Sequence, residues 1–128
     1  MSYHFTKILD IPFEQVMSKV TDALKKEGFG ILSQIDVQQT LKKKLDVDFR
    51  KYYILGACNP PFAYKALQVE KIIGTMLPCN VVVQESEGGN TEVSAVDPVA
   101  SMQAVQNPAL LDVAQQVRAK LKKVIESL

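Results

Sequence analysis

Two short runs rich in aromatic and β-branched residues, Tyr52–Cys58 and Cys79–Gln84, are cut off by prolines at the ends that face each other along the chain. Asn59-Pro60-Pro61 stops the first, because proline offers no N–H to a ladder and its ring fixes φ; Pro78 stands immediately before the second. Each run predicts a strand, one ending at Cys58 and the other starting at Cys79. Between them Phe62–Leu67 has a helical composition, with Pro61 where a first turn tolerates it. If the two strands are antiparallel neighbours, the end of the first lies beside the start of the second and both Cys-Asn dipeptides meet at one edge of the sheet. Parallel pairing would separate them by a strand length, roughly 17–20 Å.

The candidate site is therefore Cys58, Asn59, Pro60, Cys79 and Asn80. Two readings compete for it. In one, the edge lines a pocket with polar amides and soft sulfur. In the other, the cysteines are core residues, since free cysteine is among the most buried residue types, and the asparagines start ordinary turns. A shared site requires both sulfurs on the same face of the sheet.

The rest of the chain alternates between two periodicities. Residues 3–8 alternate apolar with polar and predict a strand carrying His4, the chain's single histidine. From Pro12 to Glu27, Phe13, Val16, Met17, Val20 and Leu24 fall on one helical face, and Gly28 ends the pattern. Residues 29–35 read as a strand with Phe29, Ile31, Ser33 and Ile35 in one phase. Asp36 then caps a short helix bearing Val37, Leu41 and Leu45. After the strand at 79–85, Gly88-Gly89 predicts a tight hairpin into a strand at 91–96. Val99–Val105 is short helix or irregular chain, with Met102 as core filler. Asn107-Pro108 caps and starts a final helix over 108–127, whose stripe runs from Leu110 through Val117 and Leu121 to Leu128. Helices at 12–27 and 108–127 against five mainly antiparallel strands make an α+β layer architecture.

The motifs Leu55-Gly56-Ala57-Cys58-Asn59-Pro60, Leu77-Pro78-Cys79-Asn80-Val81-Val82-Val83 and Val96-Asp97-Pro98, with Gly28-Phe29, Asp46–Phe49, Ala66-Leu67 and Ile73-Gly74, span nearly the whole chain. On these residues it resembles a bacterial and archaeal family known as domain of unknown function three hundred and two. The resemblance implies a TATA-binding-protein-like fold, a curved antiparallel sheet with long terminal helices on one face, and a homodimer. It implies no activity.

Length and charge bound the function further. At 128 residues and 47% hydrophobic, the chain can bury about two thirds of its unfolded surface and reads as a single domain over 1–128. A net charge of +1 lacks the basic excess that phosphate neutralisation needs, so nucleic acid is not an expected partner. The N-terminus lacks the charged-then-apolar order of a signal peptide, and no apolar run approaches the roughly 18 residues of a spanning helix. The expected setting is the cytoplasm, with no membrane partner and with reduced thiols.

Phosphate loops, Cys-x-x-Cys pairs, zinc-protease helices and nucleophile elbows are absent from the sequence. One histidine and two thiols leave a zinc or iron–sulfur site half built in one chain, and no metal ligands or cofactor are assigned. The leading expectation is a homodimeric protein that binds a small ligand or a partner at the Cys-Asn edge. The alternatives are thiol redox or metal-dependent activity through Cys58 and Cys79, and a purely structural dimerisation module; whether the protein is an enzyme stays open at this point.

Overall fold

The structure, a computed structural model, describes residues 2–128. Five strands form one sheet: β1 (His4–Leu9), β2 (Gly30–Asp36), β3 (Tyr52–Cys58), β4 (Cys79–Glu85) and β5 (Thr91–Val96). Their order is β1-β5-β4-β3-β2 and every pairing is antiparallel. The helices are α1 (Phe13–Lys26), α2 (Val37–Leu45), α3 (Pro60–Val69), α4 (Pro98–Ser101) and α5 (Pro108–Glu126). A one-turn 3₁₀ segment, Ile73–Met76, completes the connection from α3 to β4. The α+β class and the five-stranded antiparallel sheet are those expected from the patterning.

The core lies on one face of the sheet. Leu55, Val81, Val83, Val93 and Ala95 present fully buried side chains there, against Val16, Val20 and Leu24 of α1 and Leu110, Leu121 and Val124 of α5. The stripes on α1 and α5 explain why these helices form: an amphipathic face gains more from packing than from propensity. α1 ends where Gly28 enters the left-handed region at φ +86°. Phe29 N–H donates to Leu24 O at 2.9 Å and Gly28 N–H to Lys25 O at 3.0 Å, a Schellman ending that turns the chain into β2. α2 starts on Asp36, whose Oδ1 accepts from Gln39 N–H at 2.9 Å, as its sequence predicts.

One local detail differs from the pattern reading. In β2 the register slips between Ile31 and Ser33. This bulge inverts the phase, so Ile31 opposes buried Ala57 while Ser33 and Ile35 oppose Gly56 and Ile54 on the other face. Leu32, at the bulge, is 71% exposed. The β4–β5 hairpin turns through a 3₁₀ segment, Glu87–Gly89, with Gly88 and Gly89 at the positive φ values that the Gly-Gly sequence predicts, +70° and +79°. As expected for Val99–Val105, the short helix α4 forms, closed by Met102 N–H to Pro98 O at 3.0 Å, and gives way to irregular chain.

No helix among the described residues is long and apolar enough to cross a membrane. The face of the sheet away from the core carries His4, Thr6 and Ile8 of β1, Ser94 of β5, Asn80 and Val82 of β4, and Ile54 and Gly56 of β3. Gly56 is required there by close approach. A Cβ on it would lie 2.3 Å from Ser33 Oγ and 2.7 Å from Pro78 Cγ.

Candidate functional site: an apolar cavity at the Cys79 end of the sheet

The β3–β4 pairing brings the two Cys-Asn dipeptides together. Ala57 opposes Cys79 and Gly56 opposes Asn80, so Cys58 stands one residue beyond the partner of Cys79. Both cysteines border one cavity of about 50 Å³. They reach it differently. Cys79 is buried in the same phase as Val81 and Val83, towards the core, whereas the pleat sets half-buried Cys58 in the opposite phase from Ala57 at the last position of β3, so the same-face requirement for a shared two-thiol site is not met by the pleat.

Asn59 also borders the cavity, but its amide works elsewhere. It is buried, and its Nδ2 donates to Glu27 O at 3.0 Å, tying the start of α3 to the end of α1. The same nitrogen would lie 3.1 Å from a Cβ on Gly28, so the amide fills the space that glycine leaves. Asn59 O accepts from Ala63 N–H at 2.9 Å as the first bond of α3. Pro60 opens α3 and lies outside the cavity wall, as does Asn80, which is exposed on the open face of the sheet.

The remaining wall comes from distant elements: Phe62, Ala63 and Ala66 of α3, Pro98 and Met102 at α4, and Leu110, Val113, Ala114 and Val117 of α5. None of these side chains is charged. Local sequence gave no sign of them as site residues, because their only shared property is apolarity at helical spacing, which also describes ordinary core. Asp97 sets the α4 part of the wall in place. It is buried, its Oδ1 caps α4 by accepting from Val99 N–H at 3.0 Å, and its Oδ2 accepts from Arg118 Nε at 3.0 Å.

Electrostatics distinguish the thiols. Burial, with a smaller contribution from Cys58, pushes the Cys79 thiol up to about 11. It is a protonated thiol at neutral pH, and the thiolate is the nucleophilic form. The sole histidine offers it no base: His4 lies on edge strand β1, separated from β4 by β5 and turned to the open face, with Nδ1 hydrogen-bonded to Thr6 Oγ1 at 2.6 Å. Among the described residues no group of three or more His, Cys, Asp or Glu side chains converges as a metal site.

A second, open depression of about 550 Å³ adjoins the cavity at the N-terminal end of α5. Met102, Leu110 and Ala114 belong to the walls of both.

Comparison with known proteins places this arrangement in context. An uncharacterised protein of Aquifex aeolicus (strain VF5) is 30% identical over 91 residues, 71% of this chain, and the chain spans 57% of that relative's length. The crystal structure of an uncharacterised conserved protein from Bacillus stearothermophilus superposes with a TM-score of 0.90 at 29% identity, covering 98% of both chains. The sequence model of the family described as "Domain of unknown function DUF302" matches residues 5–128, and the chain belongs to that family.

Proposed function

We propose that this protein is a cytoplasmic single-domain binding protein for a small, neutral, apolar ligand held in the Cys79 cavity, and that it acts as a homodimer. The observation that carries the ligand reading is the wall itself: a partly open space at the end of the sheet, lined mainly by apolar side chains, with Cys58, Cys79 and Met102 as its sulfur-bearing residues and no charged side chain among those that line it. Apolar pockets with few polar groups are the common form of small-molecule sites. The raised Cys79 thiol and the remote His4 weigh against thiol chemistry as the primary activity.

Thermal unfolding under xenon and with the smallest apolar solutes, sized to a space of about 50 Å³, tests this. A ligand that binds only the folded state raises the melting temperature in proportion to its concentration over its Kd. The wild-type protein should respond, and Ala63→Leu, which fills the space from α3, should lose the response while still folding. An unresponsive wild-type protein would remove the ligand reading.

The homodimer rests on a different observation. The open face of the sheet exposes Ile35 beside Ile54 and Val82, with Leu32 projecting at the β2 bulge; Ile8 is exposed on the far edge strand β1. Apolar residues clustered on an uncovered sheet face are suited to a second copy of the same face about a twofold axis. Sedimentation should give a dimer at micromolar concentration, and Ile35→Lys should convert it to a monomer.

A further inference from the structure

The cavity alone, about 50 Å³, has room for only a few water-sized groups. The adjoining groove, about 550 Å³, falls within the roughly 300–1,000 Å³ of typical ligand sites. Three residues belong to the walls of both. Leu110 and Ala114, one turn apart on α5, form a floor common to both, and the Met102 side chain is the remaining shared wall. Methionine is unbranched and fills irregular gaps by rotating rather than by fixed shape. Met102 also stands where α4 has just ended. The chain from there to α5 is held by Val105 N–H to Met102 O at 3.0 Å and, at its far end, by Asn107 Nδ2 to Val69 O at 2.8 Å.

The groove's chemistry narrows what would lie in it. Its apolar surface comes from Val99, Val105 and Leu111, the last 48% exposed at the rim. Its polar side chains are the neutral amides Gln103, Gln106 and Asn107, and Asn107 Oδ1 is already engaged by Ala109 N–H at 3.1 Å. No acidic or basic side chain lines either space; Lys65 and Lys120 lie over the Phe62 ring outside both walls. A charged headgroup would find no counter-ion there, whereas a hydroxyl or amide could exchange hydrogen bonds with Gln103 and Gln106.

Resting on the ligand reading above, we propose that cavity and groove are two compartments of one site for a neutral, single-chain aliphatic amphiphile, with Met102 as the flexible partition between them. The tail passes Met102 into the space beside Cys79, and the uncharged head stays in the groove near the two glutamines.

The test is a titration of the full chain with straight-chain 1-alkanols from propanol to decanol and with the matching alkanoates, followed by methyl signals of Ala66 in the cavity and Leu111 in the groove. Affinity should rise by about fourfold per added methylene, the equivalent of about 0.8 kcal/mol each, with Leu111 shifting only for the longer chains. Ionised alkanoates should bind at least about tenfold more weakly than alkanols of equal length. Leu111→Asp should lower the ratio of long-chain to short-chain affinity about tenfold, and Met102→Ala should raise long-chain affinity. Short alkanols that bind with no gain on lengthening and no shift at Leu111 would overturn the two-compartment site and leave the cavity reading standing. Absence of binding at every length would overturn both, and equal affinity for alkanoates would overturn the neutral headgroup.

Discussion

The chain contains the dipeptide Cys-Asn twice, and the fold treats the two copies in opposite ways. At Cys58-Asn59 the asparagine is the committed residue, buried and bonded to Glu27 O, while the cysteine is half-buried at a strand end. At Cys79-Asn80 the cysteine is buried in the cavity wall and the asparagine is exposed. The cause is position relative to the strand. Cys58 closes β3, so the next residue leaves the pleat and turns inward to start α3. Cys79 opens β4, so the next residue stays in the pleat and points to the opposite face. Identical dipeptides thus acquire a structural amide in one case and a buried thiol in the other.

The sharpest way to break that contrast is to remove both amides in turn. Asn59→Ala deletes the donor to Glu27 O and leaves a gap under Gly28, and should cost about 2–4 kcal/mol in urea unfolding. Asn80→Ala should stay within about 0.5 kcal/mol, as exposed substitutions do. Equal costs would mean that the dipeptides are not differentiated in the way the burial describes.

The thiols give the next largest effect. Cys79 keeps its proton in the folded protein up to about 11, against an ordinary value of 9.0. The stability it contributes is therefore complete below pH 9 and is lost as pH rises from there through 11, by about 3 kcal/mol at most. Comparing pH–stability curves of wild type and Cys79→Ala isolates it: the mutant curve should be flatter by that amount across the window.

Gly28→Ala probes the amide from the other side. An alanine there must hold φ +86° and sets its Cβ 3.1 Å from Asn59 Nδ2, so a loss of about 1–2 kcal/mol is expected. In Asn59→Ala background the crowding part should vanish and the cost should fall, a non-additivity that a double-mutant cycle reads directly. The smallest effect is kinetic. Thiol labelling of the native protein at neutral pH should modify Cys58 first, with Cys79 reacting mainly through unfolding.

Most of the fold was legible because the chain is punctuated by residues that admit few conformations. Pro12 and Gly28 bracket α1, Asn59-Pro60 and Pro78 bracket the β3–β4 excursion, and Asn107-Pro108 opens α5. Each is a local constraint, so local reading finds it. The β2 bulge was not legible, since Leu32 looks like any apolar strand residue and its expulsion depends on pairing with β3. Of the site, the strand ends at Cys58 and Cys79 followed from the prolines, while their approach was conditional on antiparallel pairing, which the structure supplies. The wall from Phe62, Met102 and the α5 residues did not, because it is assembled by packing between segments that share no sequence signal. The division of labour between Asn59 and Asn80 was likewise invisible, being set by a carbonyl at the far end of α1.

The bulge in β2 has a further effect on how the molecule meets its neighbours. β2 is an edge strand, and a regular edge offers a row of free N–H and C=O groups on which any stray strand can polymerise. An inserted residue at Leu32 puts that row out of step, so an approaching straight strand can match one half of it and not the other. At the opposite edge, the Lys7 ammonium of β1 is bonded to the carbonyl oxygens of Glu126 and Leu128, which brings the end of α5 against that strand. Strand addition is thereby hindered at both margins of the sheet.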